Sequence, residues 1–290
     1  MRFAKGHGTG NDFVILPDPD GELELSPELV VRLCDRHFGI GGDGVLRVVR
    51  TAAVGWDADG QSAEWFMDYR NADGSVAEMC GNGVRVIAKY LIEAGLASGA
   101  TASGPGLQLA TRAGTRRVRA EADGQFTVDM GAATVIGSGS VEAGGQTLTG
   151  LAISVGNPHL ACMTSLPVAD IDLENPRVLA PAALTGGANV EVVRAVAPGE
   201  IEMRVHERGS GLTLSCGTGA VAAAVAASSA AGEWPDGAGR QWIVQVPGGR
   251  LTVLPSGTAS LLTGPAEIVA VGELQASWLA DLSPIRLGTF

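Results

Sequence analysis

Short apolar runs separated by turn residues make up most of this chain, and this pattern predicts a protein richer in strands than in helices. The strands expected in the first half are Met1–Ala4, Asp12–Leu16, Val45–Val49, Glu64–Tyr69, Leu107–Thr111, Arg116–Glu121 and Gln125–Asp129. Those expected in the second half are Leu151–Val155, His159–Met163, Val190–Val196, Ile201–His206, Trp242–Val246, Arg250–Leu254 and Glu267–Val271. Short turns join many of them, which favours an antiparallel α+β arrangement over a doubly wound parallel sheet.

Helical patterns occur at only a few places. Ser26 is a good N-cap for a helix over Pro27–His37, and a short helix is expected at Ser277–Leu282. Two further helices are expected at Val84–Ala94 and Ala220–Ala231, each directly after a glycine-rich segment.

The last two helices differ in polarity. The first carries Arg85, Lys89 and Glu93 at positions i, i+4 and i+8, which indicates a single polar stripe on an otherwise apolar helix. The second has no charged residue and consists of Ala, Val and Ser, which predicts a helix buried on all sides. We therefore expect two similar halves, each a curved, mostly antiparallel sheet around a central helix.

The boundary between these halves is expected near residues 123–131. The first half would comprise residues 1–125 together with a returning C-terminal segment, residues 266–290. The second half would comprise residues 126–265. The first would then carry Cys80 and the second Cys216.

A cysteine stands just before the glycine-rich start of the central helix in each half. Residues 79–83 read Met-Cys-Gly-Asn-Gly, and residues 215–219 read Ser-Cys-Gly-Thr-Gly. At a helix start the backbone N–H groups point outward and the dipole is positive, which favours a thiolate and also holds an anion. The repetition predicts two half-domains that face one another across a single small anionic ligand.

Composition and charge exclude several classes of protein. The chain has 290 residues, of which 46% are hydrophobic and 18% charged, so a well-packed globular protein is expected. The net charge of −11 without a basic cluster argues against nucleic-acid binding. Lys5 and Lys89 are the only lysines, and neither has the glycine-rich setting typical of a pyridoxal phosphate site. No signal peptide or membrane span is indicated, so we expect a cytoplasmic protein with reduced cysteines.

Other interpretations of Cys80 and Cys216 remain open. Free cysteine is often a small core residue, as we expect for Cys34 and Cys162. Metal-binding cysteines usually lie about two to four residues apart, a spacing that does not occur here, and the histidines form no ligand motif. A disulfide is disfavoured in a reducing compartment. The repeated context favours thiol catalysis instead.

Two thiols on opposite sides of one carbon could invert a stereocentre without a cofactor. One sulfur, as a thiolate, would take the proton, and the other, as a thiol, would return a proton to the opposite face. The carboxylate of an amino acid gains enolate-like charge in this step, and N–H groups at two helix starts would stabilise that charge. Burial away from water would strengthen the effect.

The order of seven short segments along the chain resembles the diaminopimelate epimerase family. The segments are Lys5–Phe13, Asn71–Ser75, Met79–Gly83, Gly156–His159, Asn189–Glu191, Glu207–Gly209 and Cys216–Gly219. The resemblance implies a fold of two similar halves and cofactor-independent epimerisation of LL-diaminopimelate to the meso form, in lysine and peptidoglycan precursor biosynthesis. The Ala- and Arg-rich composition is typical of a member from a high-GC bacterium.

The resemblance also implies roles for individual residues. Cys80 and Cys216 would be the acid and the base. The candidates for holding the reacting carboxylate are Gly81, Asn82, Gly217 and Thr218. The candidates around the rest of the substrate are Asn11, Asn71, Asn157, Asn189, Glu207 and Arg208. His159 and Glu207 would support catalysis, and no metal is implied.

Three positions depart from the family pattern. Gly44 stands where some members carry a substrate-binding glutamine, and Leu212 where members usually carry glutamate. The tyrosine that supports the dimer contact in some members is replaced in Ile268–Ala270. A homodimer is compatible with the resemblance.

A two-cysteine racemase of proline or hydroxyproline is the second interpretation. That family typically carries histidine where Asn82 stands, and its cyclic substrate does not need Glu207 and Arg208. A phenazine-type isomerase lacks the paired cysteines, and a binding module with inert thiols is the alternative outside enzymes. The expected partner is a small molecule, with neither nucleic acid nor membrane.

Overall fold

The computed structural model describes residues 1–56, 63–97, 104–179, 184, 186–234 and 239–280. Its strands are β1 (Arg2–Gly8), β2 (Asn11–Pro17), β3 (Gly44–Arg50), β4 (Trp65–Asn71), β5 (Leu107–Thr111), β6 (Gly114–Ala120), β7 (Phe126–Gly131), β8 (Thr134–Ala143), β9 (Gln146–Ser154), β10 (Pro158–Met163), β11 (Arg177–Leu179), β12 (Asn189–Ala197), β13 (Glu200–Glu207), β14 (Gly211–Thr213), β15 (Trp242–Val246), β16 (Gly249–Leu254), β17 (Ser260–Gly264) and β18 (Glu267–Glu273). Its α-helices are α1 (Pro27–Cys34), α2 (Thr51–Val54), α3 (Gly81–Glu93), α4 (Gly217–Ala230) and α5 (Ala276–Ala280). None of these helices has the length and apolar character that crossing a bilayer requires.

The strands form two ladders with the same pattern of pairing. The first runs β18-β1-β2-β3-β4-β5-β6-β7. The second runs β8-β9-β10-β12-β13-β15-β16-β17. In each ladder the third and fifth pairings are parallel and the others are antiparallel. The repetition confirms the predicted fold class of two similar, mostly antiparallel halves.

The two ladders join through their last strands. β7 and β17 pair in antiparallel fashion, with Val128 opposite Leu262. The hydroxyl groups of Thr127 and Thr263 lie 2.8 Å apart across this pairing. Because equivalent strands meet here, the halves are related by an approximate twofold rotation and one sheet continues through both.

Each half wraps around its own long helix. α4 packs on β10, β12, β13 and β16, and every residue from Gly217 to Ser228 is buried, as its uniformly apolar sequence predicts. α3 packs on β1, β6, β7 and β18. Both helices contribute to one hydrophobic cluster that extends across the two halves.

The predicted polar stripe on α3 is only partly correct. Lys89 and Glu93 form an ion pair at 2.9 Å near the surface. Arg85 is fully buried instead, because this end of the helix lies between the two halves. Its hydrogen bonds go to neutral groups of its own helix and of two other segments, which a stripe pattern alone does not indicate.

Several element boundaries differ from those predicted. α1 ends at Cys34 rather than His37, because the Asp35 side chain accepts hydrogen bonds from the backbone N–H groups of His37 and Phe38 and stops the helix. α5 ends the described part of the chain at Ala280, so the last two residues of the helix predicted at Ser277–Leu282 lie outside the described residues.

Four strands were not predicted. They are β8, β11, β14 and β17. β8 contains two glycines, and β11 and β14 are only three residues long, so their sequences carry little strand signal. β17 matters most because it forms the join with β7.

Candidate active site

Cys80 and Cys216 occupy equivalent positions at the starts of α3 and α4. Each is the N-cap residue, with an extended backbone. Each sulfur accepts a hydrogen bond from the backbone N–H three residues later, from Gly83 in one case and Gly219 in the other, both at 3.4 Å. A cysteine thus takes the capping role that Ser, Thr, Asp or Asn usually plays.

The two helix starts touch each other. A Cβ atom added to Gly217 would lie 3.3 Å from the Cα atom of Gly81, and 3.1 Å from the Leu262 side chain, so glycine allows this close approach. The Asn82 side-chain amide donates to the carbonyl oxygen of Ser215 at 3.0 Å, which ties α3 to the residue before Cys216. Two sets of outward-pointing N–H groups therefore meet between the halves.

Asn11 and Asn82 surround the sulfur of Cys80. The thiol donates to Asn11 Oδ1 at 3.6 Å, and Asn82 Nδ2 donates to the same oxygen at 3.2 Å. Asn11 Nδ2 donates to Asp43 Oδ2 at 2.7 Å, and Arg36 pairs with Asp43 at 2.9 Å. An ion pair at the surface therefore fixes the orientation of the amide that contacts Cys80.

A longer chain of hydrogen bonds leads away from Cys216. Thr218 Oγ1 lies 3.4 Å from the sulfur and accepts from Asn157 Nδ2 at 3.3 Å. Asn157 Oδ1 lies 3.0 Å from His159 Nε2, and His159 Nδ1 lies 2.7 Å from Glu191 Oε1. His159 and Glu191 are fully buried, and His159 connects to the thiol through Asn157 and Thr218 rather than by a direct hydrogen bond.

The carboxyl group of Glu207 interacts with the Cys216 thiol. Its Oε1 accepts a hydrogen bond from Thr213 Oγ1 at 2.6 Å. Burial raises the pKa of the Glu207 carboxyl group, while hydrogen bonds with Thr213 and with the Cys216 thiol lower it. Glu207 is therefore placed to accept the thiol proton or to hold it on sulfur.

Arg208 and Asn189 form the outer part of the site. The Arg208 backbone N–H donates to Asn189 Oδ1 at 2.9 Å, and its guanidinium donates to the Gly186 carbonyl at 3.1 Å. The Arg208 side chain is exposed, whereas Asn189 is buried. An exposed guanidinium held by a carbonyl keeps donors available for a ligand carboxylate.

Burial dominates the acidity of both thiols. It raises the pKa of Cys80 to about 11, and the N–H groups of Gly83 and Asn82 oppose this increase. The pKa of Cys216 is raised well above its usual range by burial and then by the negative charges of Glu207 and Glu191. The helix starts were predicted to favour thiolates, but in this state desolvation outweighs their N–H groups.

Strand register relates the side chains of the two halves. Phe13 lies opposite Gly44, and Gly44 lies opposite Asn71, across β2, β3 and β4. The same positions across β10, β12 and β13 are held by His159, Asn189 and Glu207. His159 thus corresponds to Phe13, and Glu207 corresponds to Asn71. At two of the three equivalent positions the second half has a titratable side chain where the first half has a neutral one.

The structure explains the absence of a side chain at position 44. A Cβ atom on Gly44 would collide with the Arg70 carbonyl oxygen and would lie 2.7 Å from the Tyr69 ring. The glutamine of some relatives therefore does not fit here. Asn71 beside it donates to Ser75 Oγ at 3.0 Å and makes no hydrogen bond to either cysteine.

Leu212 lies on β14 opposite His206 and packs against a second hydrophobic cluster formed by β8, β10 and β12. An apolar residue suits this position. With leucine at this position, Cys216 still caps the start of α4.

Sequence reasoning missed four polar residues that connect the site. Arg85, Thr9, Ser215 and Glu191 are all buried. Ser215 Oγ donates to Thr9 Oγ1 at 3.0 Å, which joins the first turn to the start of α4. The sequence feature that could have identified Glu191 is its position as a charged residue inside an otherwise apolar strand.

Among the described residues, no group of three or more His, Cys, Asp or Glu side chains is placed to hold a metal ion. Cys34 and Cys162 are buried core residues, as predicted, and burial raises the pKa of each thiol to about 12. The two helix-start thiols remain as the chemically distinctive groups of the site.

Sequence comparison identifies close relatives. The family model described as "Diaminopimelate epimerase" matches residues 3–136 and 151–269. The diaminopimelate epimerase of Thermobifida fusca (strain YX) is 56% identical over 284 residues, covering 96% of this chain and all of the relative. That of Mycobacterium sp. (strain KMS) is 49% identical over 301 residues, covering 96% and 98% of the two chains.

Comparison with solved structures identifies the same fold in distant proteins. A hydroxyproline epimerase from Agrobacterium vitis has a TM-score of 0.63 at 15% identity, covering 94% of this chain and 91% of that chain. A phenazine biosynthesis protein of the PhzF family from Bacillus anthracis has a TM-score of 0.62 at 16% identity, covering 95% and 99%. At such low identity these likenesses establish the fold alone.

Proposed function

The chain belongs to the diaminopimelate epimerase family and is an isomerase, and we propose that Cys80 and Cys216 invert one α-carbon of diaminopimelate between them. The reaction would convert the LL form to the meso form, a step of lysine and peptidoglycan precursor biosynthesis. The observation that carries the proposal is the contact between two helix starts, each capped by a thiol.

The proposed reaction balances with two side chains. One thiolate takes the α-proton and becomes a thiol, while the electron pair of the broken C–H bond moves toward the substrate carboxylate. The second thiol then gives its proton to the opposite face and becomes a thiolate. No cofactor is needed, because both protons are carried by sulfur.

The reacting carboxylate would lie over the paired helix starts. The N–H groups of Gly81, Asn82, Gly217 and Thr218 belong to the first turns of α3 and α4. In the first turn of a helix the backbone N–H groups have no carbonyl acceptor within the helix. Two positive helix ends would stabilise the enolate-like charge as the proton leaves. The raised pKa values of both thiols are those of the unliganded protein, and a bound substrate would supply its own ammonium charge.

The distal amino-acid group would contact the outer residues. Arg208 is exposed and suits a carboxylate, and Glu207 suits an ammonium group. The remaining candidates, Asn11, Asn71, Asn157 and Asn189, would offer neutral hydrogen bonds to the substrate. Of these, Asn11 accepts from the Cys80 thiol, and Asn157 donates to Thr218 beside Cys216. His159 and Glu207 would support catalysis by acting on Cys216.

The function is tested in deuterated water. Each turnover should place deuterium at an α-carbon of diaminopimelate, detected by mass spectrometry, as the LL and meso forms interconvert. Proline and hydroxyproline serve as controls and should remain unlabelled. Labelling of proline without labelling of diaminopimelate would favour the racemase interpretation, and labelling of neither would contradict both.

We also propose a division of the chain close to the expected one (residues 1–125 with 266–290, and residues 126–265), except that β7 is assigned to the first half because it ends the first ladder. The pairing of β18 with β1 supports it, because a C-terminal strand completes the first ladder. A cytoplasmic location is proposed as well, because the thiols of Cys80 and Cys216 must stay reduced to act.

A homodimer is a further proposal. β18 is an outer strand of the first ladder, and its Val269 and Val271 side chains are 59% and 77% exposed. Such an apolar strand edge favours association with a second copy. Analytical ultracentrifugation tests this directly, and a monomer at micromolar concentration would contradict it.

A further inference from the structure

Arg85 is a fully buried arginine without a carboxylate partner among the described residues. It belongs to the second turn of α3, and its side chain is 0% exposed. Its acceptors are all neutral, and Nη1 has no hydrogen-bond partner within the described part of the chain. Buried arginines are usually paired, since an uncompensated charge is costly to remove from water.

The neutral acceptors of Arg85 come from three separate segments. Nη2 donates to Thr9 Oγ1 at 3.0 Å and to Asn82 Oδ1 at 2.8 Å. Nε donates to the Pro265 carbonyl oxygen at 3.2 Å. Arg85 therefore links the first turn, the start of α3 and the segment that leads into β18.

The bond to Asn82 determines how that side-chain amide is turned. Because Asn82 Oδ1 accepts from Arg85, Asn82 Nδ2 faces away and donates to Asn11 Oδ1 and to the Ser215 carbonyl. Asn11 Oδ1 in turn accepts from the Cys80 thiol. The guanidinium thus reaches the sulfur of Cys80 through two amides and reaches the start of α4 through one.

The second half has no equivalent of this cation. Arg85 stands five residues after Cys80, and the same position after Cys216 is Val221, which is buried and apolar. The charged groups that act on Cys216 are Glu207 and Glu191. Among the described residues, a buried cation behind a helix-start cysteine therefore occurs in the first half only.

We propose that Arg85 is a positioning residue that fixes the Asn82 amide between the two helix starts and makes Cys80, rather than Cys216, the thiol that ionises more readily before substrate binds. The proposal rests on the proposed roles of the two cysteines. It goes beyond them because it assigns the unequal protonation of the thiols to one buried cation.

The surroundings of Cys80 agree with this assignment. The charged groups that act on Cys80 are Glu207 on β13 and then Arg85 on its own helix, and a Cys80 thiolate in turn raises the pKa of Tyr69 on β4. Arg85 lowers the pKa of Cys80 and Glu207 raises it. Burial lowers the pKa of Arg85 to about 10, so the guanidinium stays charged at neutral pH. The negative charge of a Cys80 thiolate raises the pKa of Arg85 and so favours its charged form.

The first test measures alkylation of each thiol by iodoacetamide as a function of pH, with Cys80 and Cys216 quantified separately by peptide mass mapping. In Arg85→Gln the Cys80 profile should move to higher pH by about one unit, so alkylation at a fixed pH below both midpoints becomes about tenfold slower. The Cys216 profile should move much less. Lys89→Gln is the matched control, because it removes a charge from the same helix one turn later.

Arg85→Lys separates charge from geometry. It keeps the cation, so the Cys80 profile should stay close to that of the unchanged protein. A single ammonium group cannot reproduce the planar guanidinium fork, so kcat should fall about tenfold while the KM for diaminopimelate changes little. Should Arg85→Gln not fold, this variant carries the test by itself.

Each result of these two tests either supports or overturns the proposed role of Arg85. Superimposable Cys80 profiles for Arg85→Gln, Lys89→Gln and the unchanged protein would overturn the proposal, as would normal kcat in Arg85→Lys. A shifted Cys80 profile would support it even if the protein did not epimerise diaminopimelate, because alkylation requires no turnover. Failure of the deuterium test would therefore be distinguishable from failure of this inference.

Discussion

The two halves of this enzyme share a backbone pattern but surround their cysteines with different side chains. Cys80 is flanked by Asn11 and Asn82, with the buried cation of Arg85 behind them. Cys216 is flanked by Thr218 and by the carboxyl group of Glu207. The ladders alone would make the site symmetric, so a few side chains decide how the two sulfurs differ.

This difference suits a reaction that needs one base and one acid at the same moment. Two thiolates could not return a proton, and two thiols could not remove one. Like charges around Cys216 raise the pKa of its thiol, and the positive charge near Cys80 opposes the effect of burial there. In the proposed mechanism the duplicated fold would supply the geometry, and the different side chains at equivalent positions would decide which sulfur ionises first.

The largest expected effect comes from removing either thiol. Cys80→Ala and Cys216→Ala should each lower kcat by about three orders of magnitude or more, since each sulfur carries one of the two protons. Each variant should be compared with Cys162→Ala, which removes a buried thiol outside the site. Near-normal turnover by either site variant would contradict the two-base mechanism.

A smaller loss is expected for Glu207→Gln. The change removes a negative charge that raises the pKa of Cys216, so the Cys216 thiol should ionise at lower pH. In the direction in which Cys216 is the acid, the alkaline limb of kcat should therefore move to lower pH. Asn71→Ala, which alters the equivalent position of the first half, should leave that limb in place.

Glu191→Gln should have a still smaller effect of the same sign. The charge of Glu191 also raises the pKa of Cys216, but by less than that of Glu207. We expect a shift of the alkaline limb to lower pH with little change in KM. Glu202→Gln on the neighbouring strand is the control, and an equal shift there would exclude a specific role for Glu191.

The smallest effect on activity is expected at Gly44, where stability should change instead. Gly44→Ala would push a Cβ atom against the Arg70 carbonyl and the Tyr69 ring, which should lower the free energy of unfolding by about 1–3 kcal/mol. Gly257→Ala meets open space and should be nearly neutral. Equal urea midpoints for the two variants would show that the first half tolerates a side chain at position 44.

Local sequence patterns predicted the helices at both cysteines and most strands of the two ladders. These patterns failed where the environment of a residue depends on tertiary contacts. The spacing of Arg85 with Lys89 and Glu93 indicates a solvated stripe, and nothing local shows that the other half covers its first member. The thiolate prediction erred for the same reason, because the degree of burial is set by the whole fold.

The hydrogen-bond chain behind Cys216 shows a similar limit. His159 and Asn157 are neighbours in sequence, but Glu191 joins them only because β10 and β12 run parallel in a fixed register. Register between distant strands is a long-range property. The resemblance to a known family identified the outer residues but not this buried connection.

The pairing of β18 with β1 has a consequence for how the protein is made. β1 is synthesised before β2–β17 and waits for β18, which follows all of them, before its ladder is complete. Nascent chains therefore expose the open edge of β1 throughout synthesis of the second half, a period in which intermolecular pairing is a hazard. Synthesis of β18, rather than of β7, would set the earliest time at which the first ladder can close.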